Sequence, residues 1–358
     1  MQTIACTVEE VVLGVDTHLH SHTAVVIDLL GHEVDHETFP TTRRGHRALL
    51  AWARRRGSVC RAGVEGTGAY GVALARLLKL EGIEVFEVTR PKRQRSRHRG
   101  KNDHRDALAA AKTVLGEADE LAAPKARDGL VEAIRVLRIA RSSAVKSRTQ
   151  TILQMRNLLL TAPEDLRDQL RALPAGQLVA HCARWHRKPA CNALAATRQA
   201  MRSLARRYRD LNSEITELDH EILRLTQQAA PRLLAQHGVG PETAARLLIV
   251  AGDNPNRLRS DAALAALCGA SPIEASSGQT VRHRLNRGGD RQGNNALWTI
   301  ANTRMIHHPE TRAYVAKRTA DGKTTKEIRR LIMRALARRL YPLLLADLHD
   351  AQANTVLT

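Results

Sequence analysis

The stretch VVLGVDTHLHSHTAVVIDLL, residues 11–30, decides how the chain around it folds. Two β-branched apolar runs flank a short polar connection, which is the pattern of a β-hairpin. The first run ends on Asp16, where a strand meets solvent. Working outward, a third extended run lies near HEVDHETFP. TTRRGHRALLAWARRRG reads as a helix, with Thr41 or Thr42 as cap and Gly57 as stop. VCRAGVEGTG is a short apolar strand that carries Glu65. YGVALARLLKLEG is a helix ending at Gly82, and IEVFEV is another strand. The basic run RPKRQRSRHRGK then leads into the alanine-rich helix NDHRDALAAAKTVL.

The order is strand, strand, strand, helix, strand, helix, strand, helix. It predicts a ribonuclease-H-like, RuvC-like α/β domain over residues 8–125. Strand signals then stop, and residues 126–229 read as a helical spacer. Within it, Leu204, Tyr208, Leu211, Ile215, Leu218, Ile222 and Leu225 alternate spacings of four and three. That is a heptad seam, the mark of a coiled coil that serves as spacer or dimerising arm. The other reading is a long helix packed inside a helical domain.

Residues 230–358 form a third, mostly helical region. LLAQHGVGPETAARLLIVAGD has the form of a helix-hairpin-helix, with its turn at Gly238 and Gly240. Backbone N–H groups in such a turn suit a DNA phosphate; a plain helical hairpin is the alternative. A glycine-rich, serine-rich, basic stretch follows. In the last helix, KEIRRLIMRALARRLYPLLL, the residues Ile328, Leu331, Ile332, Ala335 and Leu336 form the expected apolar stripe.

The chain has 358 residues, with 56 Lys+Arg against 36 Asp+Glu and a net charge of +20. A surplus of that size points to polyanions, above all nucleic acid. No run approaches the ~20 apolar residues of a membrane span. The first residues, MQTIACTVEE, are acidic and do not read as a secretion signal, so a cytoplasmic location is expected. The five cysteines are odd in number and show no CxxC pair, which predicts buried thiols rather than a zinc site. Aromatic residues make up only 3% of the chain, so base stacking is not expected to dominate recognition.

Four carboxylates stand out by position: Asp16, Glu65, Asp103 and Asp106. Strand ends of an α/β sheet gather functional groups over a rigid floor. Carboxylates converging there from two strands and one helix suit two Mg²⁺ or Mn²⁺ ions, about 3.5–4 Å apart, that clamp a phosphodiester. Metal between them would also reconcile Asp103 with Asp106, which share a helix face three residues apart. Beside them lie Arg90, Lys92, Arg93, Arg95, Arg97, Arg99, Lys101 and Arg105, a run suited to a nucleic-acid backbone. Asp103 could instead serve as a helix cap. His18, His20 and His22 alternate in THLHSH and fit either metal ligation or a hairpin rim.

The motifs GVDTH, GVEGTGAYG and KNDHRDA, in this order, resemble the DEDD transposases of bacterial insertion sequences. That family includes the Piv pilin-gene invertase and the bridge-RNA-guided recombinases. The C-terminal half, from HGVGPETAARLLIVAGD through the closing helices, is similar to the family's transposase domain. The resemblance implies a RuvC-like domain whose acidic residues fall on Asp16, Glu65, Asp103 and Asp106. It also implies a serine nucleophile in a Ser-Gly motif, which falls on Ser277, with Ser276 beside it. It further implies double-stranded DNA as substrate, a structured noncoding guide RNA and a homo-oligomer.

A serine hydroxyl needs activation before it attacks phosphorus. Arg282, Arg284 and Arg287 follow it and suit the charge on a phosphate. A phosphoserine intermediate conserves the phosphodiester bond energy, in keeping with a chain that has no GxxxxGK[ST] motif. Asp290 departs from the family's more uniformly basic segment at this point. The competing expectation is a RuvC-like nuclease or junction resolvase that uses water.

Overall fold

The computed structural model describes residues 9–88, 102–118, 121, 123–127, 129–186, 189–278 and 283–356. It divides into two units, Met1–Arg127 with Ala251–Ala263, and Asp128–Val250 with Leu264–Thr358.

The first unit is built on the predicted hairpin. β1 (Glu10–Thr17), β2 (Ser21–Asp28) and β3 (Glu33–Pro40) form an antiparallel meander. α1 (Arg43–Arg54) starts where Thr42 Oγ1 accepts a hydrogen bond from Gly45 N at 3.0 Å. β4 (Ser58–Glu65) pairs parallel to β1. α2 (Val72–Leu80) leads to β5 (Glu84–Val88), which is parallel to β4. α3 (Asp103–Glu117) completes the layer, and the sheet order is β3-β2-β1-β4-β5. This is the RuvC-like topology expected from the sequence.

Both faces of the central strands are covered, which explains their near-continuous apolar runs. On one face Leu13, Val15, Ala24 and Val26 pack with Leu49, Trp52, Leu74 and Leu78. On the other, Val12, Val25, Ile27 and Phe86 pack with Ala107, Ala110, Ala111 and Val114 of α3. The returning segment 251–263 is tied into this unit, because Asp253 accepts from Ala126 N at 2.9 Å. Arg257 adds a salt bridge to Glu87 at 3.1 Å.

The second unit opens with α4 (Leu130–Leu160), α5 (Glu164–Leu170), α6 (Ala175–Ala183) and α7 (Ala193–Ala229). α4 and α7 pack against each other. They run antiparallel, since Arg141 pairs with Asp219 while Arg148 reaches Asn212 at 2.7 Å. Met155, Leu159, Leu166, Leu170, Leu178, Met201 and Ala205 form the core at one end. In the heptad seam, Ile215, Ile222 and Leu225 are buried, and Leu204 and Tyr208 pack on that core. Leu211 and Leu218 are half-buried, so the seam packs only in part within the chain.

Next along the chain come α8 (Pro231–Leu234) and α9 (Pro241–Ala251), then, within the segment that belongs to the first unit, a 3-10 turn (Pro255–Arg257), and α10 (Asp261–Leu267), which starts in that segment. The first helix of the expected helix-hairpin-helix is only a single turn, and Gly238 takes φ +82° between the two. Gly240 N already donates to Thr243 Oγ1 at 3.0 Å, so that N–H is satisfied inside the motif. A two-stranded hairpin, β6 (Ile273–Glu274) with β7 (His283–Arg284), precedes α11 (Arg291–His307), α12 (Pro309–Ala320) and α13 (Thr325–Val356).

The apolar stripe of α13 differs from the expected one. Leu331 and Ala335 are exposed, whereas Ile328, Ile332, Leu336, Leu340, Leu344 and Leu348 are buried at a strict spacing of four. The helix continues through Pro342, so its buried ridge is longer than the sequence stretch first read. Cys182 and Cys268 are buried as expected, and burial pushes their thiols up to about 11 and about 12. Cys191 is exposed, against that expectation. Among the described residues, no helix is long and apolar enough to cross a membrane.

Candidate active site

Val15 pairs with Val64, so Asp16 at the end of β1 and Glu65 at the end of β4 occupy neighbouring positions. Each acid follows a glycine by two residues, and residues two apart on a strand share a face. Both glycines lie under α3. A Cβ on Gly14 would stand 2.1 Å from Ala107 O, and one on Gly63 would stand 2.6 Å from Ala110 O. The helix rests on bare backbone, and only glycine permits that approach. Its first turn is thereby brought over the acidic strand ends.

Asn102 caps α3, accepting from His104 N at 3.0 Å. Asp103 is then the first helical residue rather than the cap, and its carboxylate is left for the site. Asp103 and Asp106 both lie in the first turn, where the helix dipole favours negative charge.

His18 completes the arrangement. Its Nε2 lies 3.1 Å from Asp16 Oδ2 and 3.2 Å from Asp103 Oδ1. Asp16 is fully buried, and a buried carboxylate is costly unless it is paired. The ligand atoms of Asp16, His18 and Asp103 lie within 4.8 Å of one another. Glu65 stands beside Asp16 across the strand pair, and Asp106 stands one turn along α3. The group gathered within 4.8 Å holds Asp16, His18 and Asp103, without Glu65 or Asp106, and its carboxylate oxygens are hard donors of the kind a divalent cation takes.

The three alternating histidines have separate fates. His18 joins the acidic centre, and the signal was its position two residues beyond Asp16, just past the end of β1. His20 is exposed. His22 is buried and stacks on His46, with ring centroids 5.1 Å apart and planes 8° from parallel. Burial, reinforced by His46, pushes His22 down to about 4.

Of the expected nucleic-acid contacts, Arg105 is exposed on the first turn of α3. Arg90, Lys92, Arg93, Arg95, Arg97, Arg99, Lys101 and Arg282 lie outside the described residues. Ser276 and Ser277 belong to the second unit and are exposed just after β6, ahead of Gly278 at φ +58°. Arg284 on β7 and Arg287 are exposed too. Asp290 has a structural task, because it caps α11 by accepting from Gln292 N at 2.7 Å and Gly293 N at 2.9 Å.

A meander extended by two parallel strands, with acids at adjacent strand ends and on the first turn of the overlying helix, defines a RuvC-like acidic domain. Comparison with known proteins names the family. A family model for DEDD transposases of the IS110 type, described as "Transposase", matches residues 13–162. A second, described as "Transposase IS116/IS110/IS902 family", matches residues 230–316. An insertion element IS110 uncharacterized 43.6 kDa protein of Streptomyces coelicolor is 34% identical over 122 residues. That match covers 34% of this chain and 29% of the relative, less than a third of the relative's length. The chain belongs to the DEDD-type insertion-sequence transposases.

Proposed function

We propose that the protein is a DNA transposase that cuts and rejoins strands at a metal-dependent acidic centre. One observation carries this reading: Asp16 from a strand and Asp103 from a helix are held against one imidazole. Asp16, Glu65, Asp103 and Asp106 would hold two Mg²⁺ or Mn²⁺ ions. Ions so placed supply electrostatic stabilisation for the charge that builds on a reacting phosphate. The chain's own part is to position these ligands on a rigid sheet and to draw the DNA backbone in by its net positive charge.

In the same reading Ser277 is the nucleophile, with Ser276 as the neighbouring alternative. The Oγ–P bond forms as the P–O bond to the leaving DNA oxygen breaks, and the proton lost by the hydroxyl ends on that oxygen. The reverse step rejoins strands without ATP. Arg284 and Arg287 neutralise phosphate charge, joined by Arg282. Residues 8–125 are assigned to the acidic domain, 126–229 to the spacer and 230–358 to the serine domain. The low aromatic content favours contacts to backbone and shape, with sequence read by a structured guide RNA and the reaction run by a homo-oligomer.

A second reading is hydrolysis by water at the acidic centre. The assembly of Asp16, His18 and Asp103 within one unit favours it, since water needs no second domain. A covalent-adduct assay separates the two. The chain is co-expressed with its flanking noncoding DNA and given labelled element-junction DNA and Mg²⁺. A denaturing gel and peptide mapping that locate a DNA adduct on Ser277, lost in Asp106→Ala, support the serine route. Cleaved DNA with no adduct supports water. Intact DNA under all these conditions would overturn both.

A further inference from the structure

A second group of ligating side chains joins the edge strand β3 to α3. Glu33 and His36 are three residues apart, a spacing that ordinarily puts side chains on opposite faces of a strand. Here the register slips between Val26 and Ile27, so that His36 pairs with Val25 and Glu33 with Ile27. This bulge inserts one residue and turns both side chains to the same face. Val25 and Ile27 show which face it is, because both pack against α3.

His104, the second residue of α3, meets them there. Its Nε2 lies 2.7 Å from Glu33 Oε1, and His36 Nδ1 lies 2.8 Å from the same oxygen. The two imidazole rings are 4.3 Å apart, and all three ligand atoms fall within 4.8 Å of one another. Burial raises the Glu33 carboxyl, but the hydrogen bonds and charges of His104 and His36 together hold it below its ordinary range.

We propose that Glu33, His36 and His104 bind a Zn²⁺ ion, at a site separate from the acidic centre. Two imidazole nitrogens and one carboxylate oxygen are a donor set zinc takes readily and Mg²⁺ does not. In a tetrahedral zinc site with bonds of about 2.0–2.1 Å, donor atoms stand about 3.3 Å apart, so each imidazole nitrogen need draw back from the Glu33 oxygen by only about half an ångström. His36 is 55% exposed, which leaves the fourth position to water. The ion would pin the first turn of α3 to the edge strand one residue from Asp103. The inference does not depend on the transposase reading.

The test is equilibrium dialysis of the full chain against Zn²⁺ with Mg²⁺ in excess, alongside X-ray absorption of the zinc-loaded wild type. One tightly held zinc per chain is expected, with imidazole scattering and no sulfur neighbours. His36→Ala and Glu33→Gln should each weaken binding at least about tenfold. Asp103→Asn should leave it unchanged. Circular dichroism confirms that the variants fold, and the absorption spectrum needs no variant. No retained zinc, sulfur scattering, undiminished binding in His36→Ala, or loss in Asp103→Asn alone would each overturn the proposal.

Discussion

His18 Nε2 sits 3.1 Å from Asp16 Oδ2, beneath the first turn of α3. A side chain just past the end of β1 thus approaches a fully buried carboxylate and reaches a second one, Asp103, at 3.2 Å. His18 is thus placed between two carboxylates that come from different elements. His18→Ala removes the side chain that contacts both acids and should destabilise the metal-free protein by about 1 kcal/mol. Mn²⁺ should recover most of that loss. Thermal unfolding with EDTA and then with Mn²⁺ checks both halves; equal losses in the two conditions would refute the role.

Gly14 and Gly116 make opposite predictions although both are glycines. Gly14→Ala drives a methyl group into Ala107 O and should cost about 3 kcal/mol or more by displacing α3. DNA cleavage should fall with it, because Asp103 and Asp106 travel on that helix. At Gly116, near the end of α3, an added Cβ meets nothing within 4 Å. Gly116→Ala should stabilise by about 0.5–1 kcal/mol through helix propensity. Urea denaturation of the two variants measures both effects.

The stacked His22–His46 pair predicts acid sensitivity. His22 titrates at about 4 in the folded chain against 6.5 ordinarily, so between those values the unfolded chain binds a proton that the native one does not. Stability is full above pH 6.5 and falls as pH drops, by up to about 1.4 kcal/mol per pH unit. His46 is shifted the same way by burial and adds to the slope. Urea midpoints at pH 7, 5.5 and 4.5 should decline in wild type and less steeply in His22→Leu. A flat wild-type profile would refute this.

The heptad seam predicts an unfolding that is internal to the chain. Ile222 is buried, and Ile222→Glu should cost about 3 kcal/mol or more by burying an unpaired charge. Its unfolding midpoint should not depend on protein concentration. Leu218→Glu, at a half-buried position, should cost much less. A concentration dependence in wild type that Leu218→Glu abolishes would return the seam to an intermolecular role.

Much of this was legible before any coordinates. The two apolar runs of residues 11–30, the Gly57 and Gly82 stops and the alanine-rich helix give the order of elements along the chain, because strand and helix periods are local properties of the chain. Asp16, Glu65, Asp103 and Asp106 stood out because acids at strand ends and in a first helical turn are visible in one dimension. The heptad spacing marked a buried seam, but spacing carries no information about which helix fills it.

The tertiary structure decided what depends on contacts between distant segments. Gly14 and Gly63 look like ordinary strand glycines until α3 is laid over them. His18 and His22 share one short motif, yet opposite environments send one to the acidic centre and the other to a buried stack. The bulge that turns Glu33 and His36 to one face arises from strand pairing, so residue spacing alone would have put them on opposite sides. In each case the sequence specified the donor atoms, and packing across the sheet chose which of them meet.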